Sequence, residues 1–290
     1  MTIAVLSDIH GNYPAFKRCV EYAFEKNVRA FVFLGDYAGE LAYPTKTMDL
    51  IYELSDQYPC YFVRGNKEDY WTSYRKSGQW DYWKNGDSTT GALFYTYHAL
   101  REKDLDFLES LPLTREVKLD GLPAFTICHG SPDHISEHLP KNENRARELL
   151  EQSPTSLILC GHTHIQAGFT WKGKKILNAG AVGVPLKSGG KSQFLLLHDR
   201  NGDWEEEFVS LSYDVAQTLR DLEAEQMDAH APFWNAVTKR LLADGKIAHG
   251  TVLNRAMELC RQELGTCQWP KIPEKYWKQA VEEFFCEKEI

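Results

Sequence analysis

The sequence predicts an α/β protein that ends in an all-helical extension, and three observations support this. First, early in the 290 residues, short apolar runs alternate with helical periods, which is typical of parallel strands covered by helices. Second, later strand-like runs are joined by short turns that contain Gly, Asn or Asp, which indicates hairpins in a mixed or antiparallel sheet. Third, only helical patterns follow residue 212, so we expect a domain over 1–212 and an extension over 213–290.

The predicted β-α-β-α-β start has a clear pattern for each element. Apolar runs at 3–8, 30–36 and 60–66 predict buried strands. Asn12 is a typical helix N-cap and Pro14 suits a first helical turn, so a helix is expected after the first strand. Apolar residues three or four positions apart mark the buried faces of this helix and of a second one: Phe16, Val20 and Phe24, then Met48, Ile51 and Leu54.

An aromatic-rich segment at about 70–98 interrupts this pattern. We expect an insertion that is partly loop, because the run KNGDSTTG within it is typical of turns. One or two of its tryptophans could stack a nucleobase. Most of them are expected to seat the helical extension or to form a homodimer contact: Trp71, Trp80 and Trp83.

The rest of the chain predicts a short helix, six strands and four further helices. The short helix is expected at KDLDFLESL, and the strands at REVKLDG, PAFTICHG, SLILCGH, KKILNAG, SQFLLLHD and WEEEFVSLS. The helices of the extension are marked by Val215, Leu219 and Leu222 and by FWNAVTKRLLAD, VLNRAMELCRQEL and EKYWKQAVEEFF. We expect the extension to pack on the first domain, as a cap over its crevice or as an oligomer interface.

Charge and composition exclude several classes of function. The net charge of −8 and the lack of a basic tract argue against a stable complex with nucleic acid. No apolar run approaches the roughly 20 residues of a membrane span, so no membrane contact is expected. The first residues lack the features of a signal peptide, and the seven cysteines form no CxxC pair. Together these features predict a cytoplasmic protein.

Residue types that bind metals follow several of the predicted strands. The segments SDIHG, GDYAG, RGN, CHGSP and GHTHIQ contain two carboxylates, one amide and four imidazoles: Asp8, His10, Asp36, Asn66, His129, His162 and His164. Because the carboxyl ends of parallel strands converge at one crevice, we expect these side chains to meet. Such a mixed donor set suits Mn, Fe, Zn, Co or Ni better than Ca or Mg. Seven ligands are enough for two ions that share one carboxylate.

The ordered motifs DIH, GDYAG, GNKE, CHG and GHTH resemble those of the calcineurin-like metallophosphoesterase superfamily. The resemblance covers about residues 1–212, and the runs LDFLESLPLT and LNAGAVGVP resemble its small prokaryotic phosphodiesterase branch. It implies a four-layer α/β/β/α sandwich of two mixed sheets. It also implies one metal held by Asp8, His10, Asp36 and His164, and a second held by Asp36, Asn66, His129 and His162, with Asp36 bridging.

The resemblance implies a hydrolase with two divalent transition metal ions, manganese or iron being favoured. A hydroxide bridging the ions would attack phosphorus in line with the leaving oxygen. The expected activity is that of a phosphodiesterase or a nucleotide pyrophosphohydrolase, for example on dinucleoside polyphosphates. The alternatives are a phosphoprotein phosphatase and a non-catalytic interaction scaffold on the same fold.

Lys67 departs from the superfamily pattern, in which many members have histidine after the Gly-Asn pair. A lysine is a poor general acid near neutral pH, although it can supply a point charge to a phosphate. Its alternative role is that of a solvated turn residue. Hydrolysis of esters with good leaving groups should be slowed least by the lack of a general acid. This favours aryl diesters and phosphoanhydrides over alkyl monoesters as substrates. His134 is a candidate substitute acid or an ordinary loop histidine, and Arg64 either lies under the site or forms a structural pair.

Overall fold

A computed structural model of the chain describes residues 1–77 and 82–286. The described strands form two five-stranded sheets. In spatial order, the first sheet contains β10 (Asp203–Leu211), β9 (Ser192–Arg200), β1 (Thr2–Leu6), β2 (Ala30–Phe33) and β3 (Cys60–Phe62). The second contains β4 (Thr114–Val117), β5 (Phe125–Cys128), β6 (Leu157–Cys160), β8 (Lys174–Ala179) and β7 (Gln166–Trp171).

Both sheets are mixed, as the sequence predicts. In the first sheet, β1, β2 and β3 run parallel, while β9 and β10 are added antiparallel at the other edge. In the second sheet, β5, β6 and β8 run parallel, and β4 and β7 are antiparallel edge strands. The carboxyl ends of the parallel strands of each sheet therefore lie at one edge of that sheet.

In the described part of the chain up to residue 212, six helices accompany the strands: α1 (Tyr13–Glu25), α2 (Pro44–Gln57), α3 (Asn66–Ser77), α4 (Gly91–Ala99), α5 (Glu102–Ser110) and α6 (Glu143–Gln152). Five follow it: α7 (Val215–Ala224), α8 (Met227–His230), α9 (Pro232–Asp244), α10 (His249–Leu264) and α11 (Glu274–Cys286). The sequence patterns predict all of these except α3, α4, α6 and α8, and they also miss β7.

The burial pattern of the strands explains the layers. Ile3 and Val5 of β1 pack in one cluster with Leu159 of the second sheet, so this cluster lies between the sheets. Ala4 and Leu6, which point to the opposite face of the strand, pack with α1 and α2. Helix α6 covers the outer face of β6 and β8 in another cluster. The predicted four-layer α/β/β/α sandwich is confirmed.

The aromatic segment is more helical than the sequence predicts. Helices α3 and α4 occupy much of it, because Trp71 and Tyr74 share one buried face of α3. Trp71 is 1% exposed and its indole N–H donates to the Leu93 carbonyl (3.3 Å). Trp83 stacks on Tyr74 with ring centroids 4.2 Å apart. These two tryptophans therefore belong to the core and cannot stack a nucleobase, and Trp80 lies outside the described residues.

The helical extension packs on the first domain. Its buried residues Leu222 and Val237 share a cluster with Leu41 and Ala42, which follow β2, and with Val184, which lies between β8 and β9. The division at residue 212 and a homodimer contact through the extension stay predictions. Among the described helices, none combines the length and apolar character needed to cross a lipid bilayer.

Asn12 joins three parts of this structure. As N-cap of α1, its Oδ1 accepts from the Ala15 N–H (3.3 Å) and from the Thr218 hydroxyl (3.1 Å) of α7. Its Nδ2 donates to the Gly183 carbonyl (2.8 Å) and to the Tyr213 hydroxyl (3.2 Å). Because Asn12 is fully buried, no water can replace these partners.

We expect Asn12→Ala to lower the free energy of unfolding by about 2–4 kcal/mol, since it removes a cap and leaves buried polar groups unpaired. Asn142→Ala is the matched control, because Asn142 caps α6 but is exposed, and among the described residues its side chain bonds only the Arg145 N–H (3.2 Å). Asn142→Ala should lower the free energy of unfolding by about 0.5–1 kcal/mol. Urea unfolding of both variants measures this, and equal losses would contradict the joining role of Asn12.

Candidate metal centre

The seven predicted metal ligands come together where the carboxyl ends of both sheets meet. Asp8, Asp36 and Asn66 follow β1, β2 and β3, while His129 and His162 follow β5 and β6. Hydrogen bonds link the two sheets at this point. The His129 Nδ1 donates to the carbonyl of Leu34 (2.7 Å), and the backbone N–H of His162 donates to Asp8 Oδ2 (2.9 Å).

Two overlapping groups of side chains have ligand atoms within 4.8 Å of one another: Asp8, His10 and His164, and Asp8, Asp36 and His129. Asp8 Oδ1 lies 3.0 Å from His164 Nε2 and 3.9 Å from His129 Nε2. Asp36 Oδ2 lies 3.4 Å from His10 Nε2 and 3.7 Å from His129 Nε2. The ring of His162 is edge-on to that of His129, with centroids 5.1 Å apart.

The hydrogen bonds of His129 show that this donor set suits cations. Since its Nδ1 donates to a carbonyl, its Nε2 carries a lone pair when the ring is neutral, as a metal ligand must be. That atom faces the acceptor Asn66 Oδ1 at 3.1 Å. In addition, Asp8 Oδ1 and His10 Nε2 are buried with no hydrogen-bond partner among the described residues. Facing lone pairs and unpartnered buried acceptors are unfavourable unless a cation lies between them.

The charge balance leads to the same conclusion. Four acids at this junction are buried: Asp8, Asp36, Glu40 and Glu68. Among the described residues, Lys67 is the one lysine or arginine that pairs with any of them. When all four acids are ionised and the histidines are neutral, as metal binding requires, the acids exceed its charge by three. Buried charges need partners, so the residues present fit a pair of divalent cations.

The backbone of the site is held in a costly conformation. Five of the seven ligand residues have a positive φ between 51° and 66°: Asp8, His10, Asp36, His162 and His164. The left-handed region costs residues with a Cβ about 1–3 kcal/mol each and is used where the surrounding structure enforces it. Such strain at a set of convergent side chains is typical of functional sites.

Two motif glycines allow the loops to approach each other. A Cβ on Gly65 would lie 2.5 Å from the backbone nitrogen of Asp36, and a Cβ on Gly39 would lie 2.5 Å from the Cα of His10. Both distances are far below van der Waals contact. The glycines of GDYAG and RGN are therefore required by close packing of the strand-end loops around the ligands.

Glu40 supports His10 from behind. Its Oε2 accepts from His10 Nδ1 (3.0 Å), which leaves Nε2 directed at Asp8 and Asp36. Its Oε1 forms an ion pair with Lys67 Nζ. Although burial opposes charge, the neighbouring carboxylates of Asp8 and Glu40 raise the pKa of His10 to about 10 in the absence of a metal. The carboxylates thus draw positive charge onto this side of the site.

Lys67 is not a solvated turn residue. Its side chain is 12% exposed, and its backbone N–H donates to Asp36 Oδ1 (2.9 Å). Burial opposes its charge, but Glu40 and Asp36 raise the pKa of Lys67 above its usual value. A lysine held more firmly protonated is an even weaker proton donor near neutral pH.

The structure separates the two histidines of the SPDHISEH segment. His134 is exposed and is not among the described residues that line the cavity beside the metal site, so the structure gives no support to it as a candidate acid. His138 does line that cavity, and its ring centroid lies 5.0 Å from that of His162. Arg64 forms a structural pair with Asp69 (2.8 Å).

A cavity of about 650 Å³ lies against the metal site. On one side it is lined by five of the seven predicted ligands: His10, Asp36, Asn66, His162 and His164. On the other side it is lined by residues of the helical extension: Trp234, Thr238, Leu241, Ala248, His249 and Gly250. The extension therefore forms part of the wall of the site.

A family model described as calcineurin-like phosphoesterase matches residues 1–166. The chain belongs to the calcineurin-like phosphoesterase family. It is therefore a metal-dependent phosphoesterase, from a family that uses two metal ions. The predicted superfamily and enzyme class are confirmed.

The phosphoesterase is similar to proteins of prokaryotic origin, as its motifs predict. An uncharacterized protein of Methanocaldococcus jannaschii is 27% identical over 237 residues, which are 76% of this chain and 91% of that protein. The metallophosphoesterase of Sphaerobacter thermophilus shares the fold at a TM-score of 0.63 and 22% identity, covering 80% of this chain and 99% of that one. A hypothetical protein of Pyrococcus horikoshii shares the fold at a TM-score of 0.70 and 18% identity, covering 85% of this chain and 99% of that one.

In this phosphoesterase, Glu68 fastens two of the ligand loops together. Its carboxylate accepts hydrogen bonds from the backbone N–H groups of Asp36 (2.8 Å), Tyr37 (3.1 Å) and Gly65 (2.7 Å). Burial and then the neighbouring Asp36 carboxylate raise the pKa of Glu68 to about 7. Sequence reasoning missed this residue and Glu40, although the acid that directly follows Lys67 in GNKE was a usable signal.

We expect Glu40→Gln to weaken Mn²⁺ binding about 10–100-fold, because the amide accepts a weaker hydrogen bond from His10 and loses the ion pair with Lys67. Calorimetric titration of Mn²⁺ into chelator-treated protein measures this. Asp69→Asn is the control, since Asp69 is half-buried, lies outside the predicted ligand set and forms an ion pair only with Arg64 among the described residues. Equal affinities for the two variants would show that Glu40 does not orient His10.

Proposed function

We propose that the protein hydrolyses a small phosphodiester or a nucleotide phosphoanhydride, and the cavity is the observation that supports this most directly. Its volume of about 650 Å³ suits a small molecule. Most of its lining is apolar, and the predicted metal ligands form one side. A diester carries a single negative charge and two organic groups, so it suits such a lining better than a dianionic monoester.

The proposed metal sites follow the assignment implied by the sequence motifs. One ion would be held by Asp8, His10, Asp36 and His164, and the other by Asp36, Asn66, His129 and His162. The position of Asp36 Oδ2 between His10 and His129 supports a bridging role for Asp36. When bound, two such ions supply an activated water at neutral pH and neutralise charge on the phosphoryl oxygens.

The protein's own residues hold the ligands and tune the leaving-group chemistry. Lys67 keeps Asp36 in place through its backbone and compensates Glu40 through its side chain. Since Lys67 is paired and stays protonated, it can lend positive charge but transfers a proton poorly. This supports substrates whose leaving group departs without strong protonation, such as aryl or phosphoanhydride groups.

The two alternative functions are less well supported. A phosphoprotein phosphatase must admit a folded or extended protein segment, whereas here the helical extension lines the cavity opposite the metal site. A non-catalytic scaffold has no need of strained, buried ligand residues, yet five of the seven adopt a positive φ.

We expect Mn²⁺-dependent hydrolysis of bis-p-nitrophenyl phosphate by the wild-type protein, and a loss of about 10³-fold in Asp36→Asn. The reason is that several kcal/mol of charge stabilisation depend on the metals that Asp36 would hold. Release of p-nitrophenol, together with metal content, measures this. His134→Ala is the control and should keep wild-type activity, because His134 lies outside the cavity lining. Metal-stimulated hydrolysis that survives in Asp36→Asn would contradict the proposed centre.

A second expected result concerns the leaving group. Lys67→His places a proton donor with a pKa nearer neutrality beside the cavity, so turnover of glycerol phosphate relative to bis-p-nitrophenyl phosphate should rise tenfold or more, within the roughly 10²–10⁴-fold range of general acid catalysis. Lys67→Arg keeps the charge without an available proton and should leave the ratio unchanged. A ratio that does not rise in Lys67→His would refute this account of Lys67.

A further inference from the structure

The cavity wall opposite the predicted metal ligands contains an aromatic pair. The rings of Trp234 in α9 and His249 in α10 stack with centroids 4.3 Å apart and planes 21° apart. Both residues line the cavity and are half-buried. Trp234 is held in place from behind by Trp277, which is fully buried and meets it edge-on at 5.9 Å. The pair is thus a rigid surface on the substrate side of the extension.

The hydrogen bonds of the pair define its polarity. The Thr238 hydroxyl donates its single proton to the Trp234 carbonyl (3.1 Å), so its oxygen accepts from His249 Nε2 (2.8 Å). In the neutral ring, Nδ1 is then the unprotonated nitrogen. Burial lowers the pKa of His249 to about 3, which keeps this ring neutral. The wall is therefore aromatic and uncharged, unlike the opposite side of the cavity.

The pair also lies close to the phosphate end of the cavity. Lys67 Nζ is 5.5 Å from the centre of the Trp234 ring, and the backbone N–H of Lys67 bonds Asp36 Oδ1 at 2.9 Å. One lysine side chain therefore spans the gap between the predicted bridging carboxylate and the aromatic wall. Since Trp234 and His249 line the same cavity as the predicted ligands, we expect an organic group carried by a phosphate at the metal site to reach them.

We propose that Trp234 and His249 form a subsite for a flat aromatic group carried by the phosphate ester substrate. This inference rests on the proposed function and narrows its substrate class to small phosphate esters that carry a flat aromatic ring, either an aryl group or a nucleobase. Offset or edge-on packing against an aromatic pair favours such rings over saturated groups of the same size. The aromatic selectivity thus comes from the helical extension rather than from the metal-binding domain.

The test uses three non-hydrolysable ligands with the same headgroup: methylphosphonate, cyclohexylphosphonate and phenylphosphonate. Calorimetry on the Mn²⁺-loaded protein gives each dissociation constant without requiring turnover. We expect phenylphosphonate to bind about three- to tenfold more tightly than cyclohexylphosphonate. In Trp234→Ala this advantage should vanish, while methylphosphonate binding stays within about twofold of wild type.

Three further variants test whether the phenyl preference depends on the aromatic pair. Trp234→Phe keeps an aromatic face and should retain most of the phenyl preference, and His249→Ala should reduce it without removing the Trp234 ring. Trp171→Ala is the matched control, because Trp171 ends β7 and packs with the cluster under α6, away from the cavity lining. Thermal unfolding of each variant confirms that it is folded.

The outcomes separate this proposal from the proposed function. No preference for phenyl over cyclohexyl in the wild type, or a preference that survives in both Trp234→Ala and His249→Ala, overturns the subsite. A phenyl preference without hydrolysis of any ester would refute the proposed function and leave the subsite standing. Comparing AMP with ribose 5-phosphate then shows the source of the ring: tighter AMP binding indicates a nucleobase, and equal binding indicates an aryl group, each in agreement with the subsite.

Discussion

Buried negative charge at the junction of the two sheets is the constraint on which the rest of the structure depends. Asp8 and Asp36 are almost completely buried where the strand ends of both sheets meet, and Glu40 and Glu68 lie directly behind them. Uncompensated charges in such a place cost several kcal/mol each, and the left-handed backbone of the ligand residues adds to that cost. Cations that bind only the folded chain offset both terms, so metal binding and stability are linked. The same contacts also join the sheets, since His129 and His162 of the second sheet bond to the loops of the first.

The helical extension changes what this junction can do. A sandwich of two sheets alone leaves the strand ends as an open crevice, which admits substrates of many sizes. Here α9 and α10 supply the opposite wall, and the cluster that anchors them includes Leu41, which follows β2, and Val184, which lies between β8 and β9. One hydrophobic cluster therefore anchors the wall on loops that lie next to the predicted metal ligands. A rearrangement of the extension would alter access to the site without touching a single ligand, which separates substrate selection from the phosphoryl chemistry.

The sequence predicts the ligand loops well because strand ends combine two strong local signals. An apolar run defines each strand, and a polar residue directly after it has a defined position at the sheet edge. All seven predicted ligands come together for this reason. The same reasoning failed for α3 and α4, where aromatic residues of weak helix propensity become helical because tertiary packing buries one face. Glu40, Trp234 and His249 were missed for another reason: each acts through a residue far away in the chain, and a single sequence carries no record of such pairs.

Lys67 illustrates how one departure from a motif is accommodated by its neighbours. A positive charge at this position would be costly in a buried site if it were unpaired, yet Glu40 lies against it and is itself required to hold His10. Lys67 and Glu40 thus compensate each other: the acid keeps the lysine protonated, and the lysine keeps the acid ionised as a strong acceptor for His10 Nδ1. A neutral residue at 67 would leave Glu40 less stable in its charged form and loosen its hold on His10, a predicted metal ligand. The proposed leaving-group chemistry and the geometry of the predicted metal centre would therefore be coupled through the ion pair of Lys67 and Glu40.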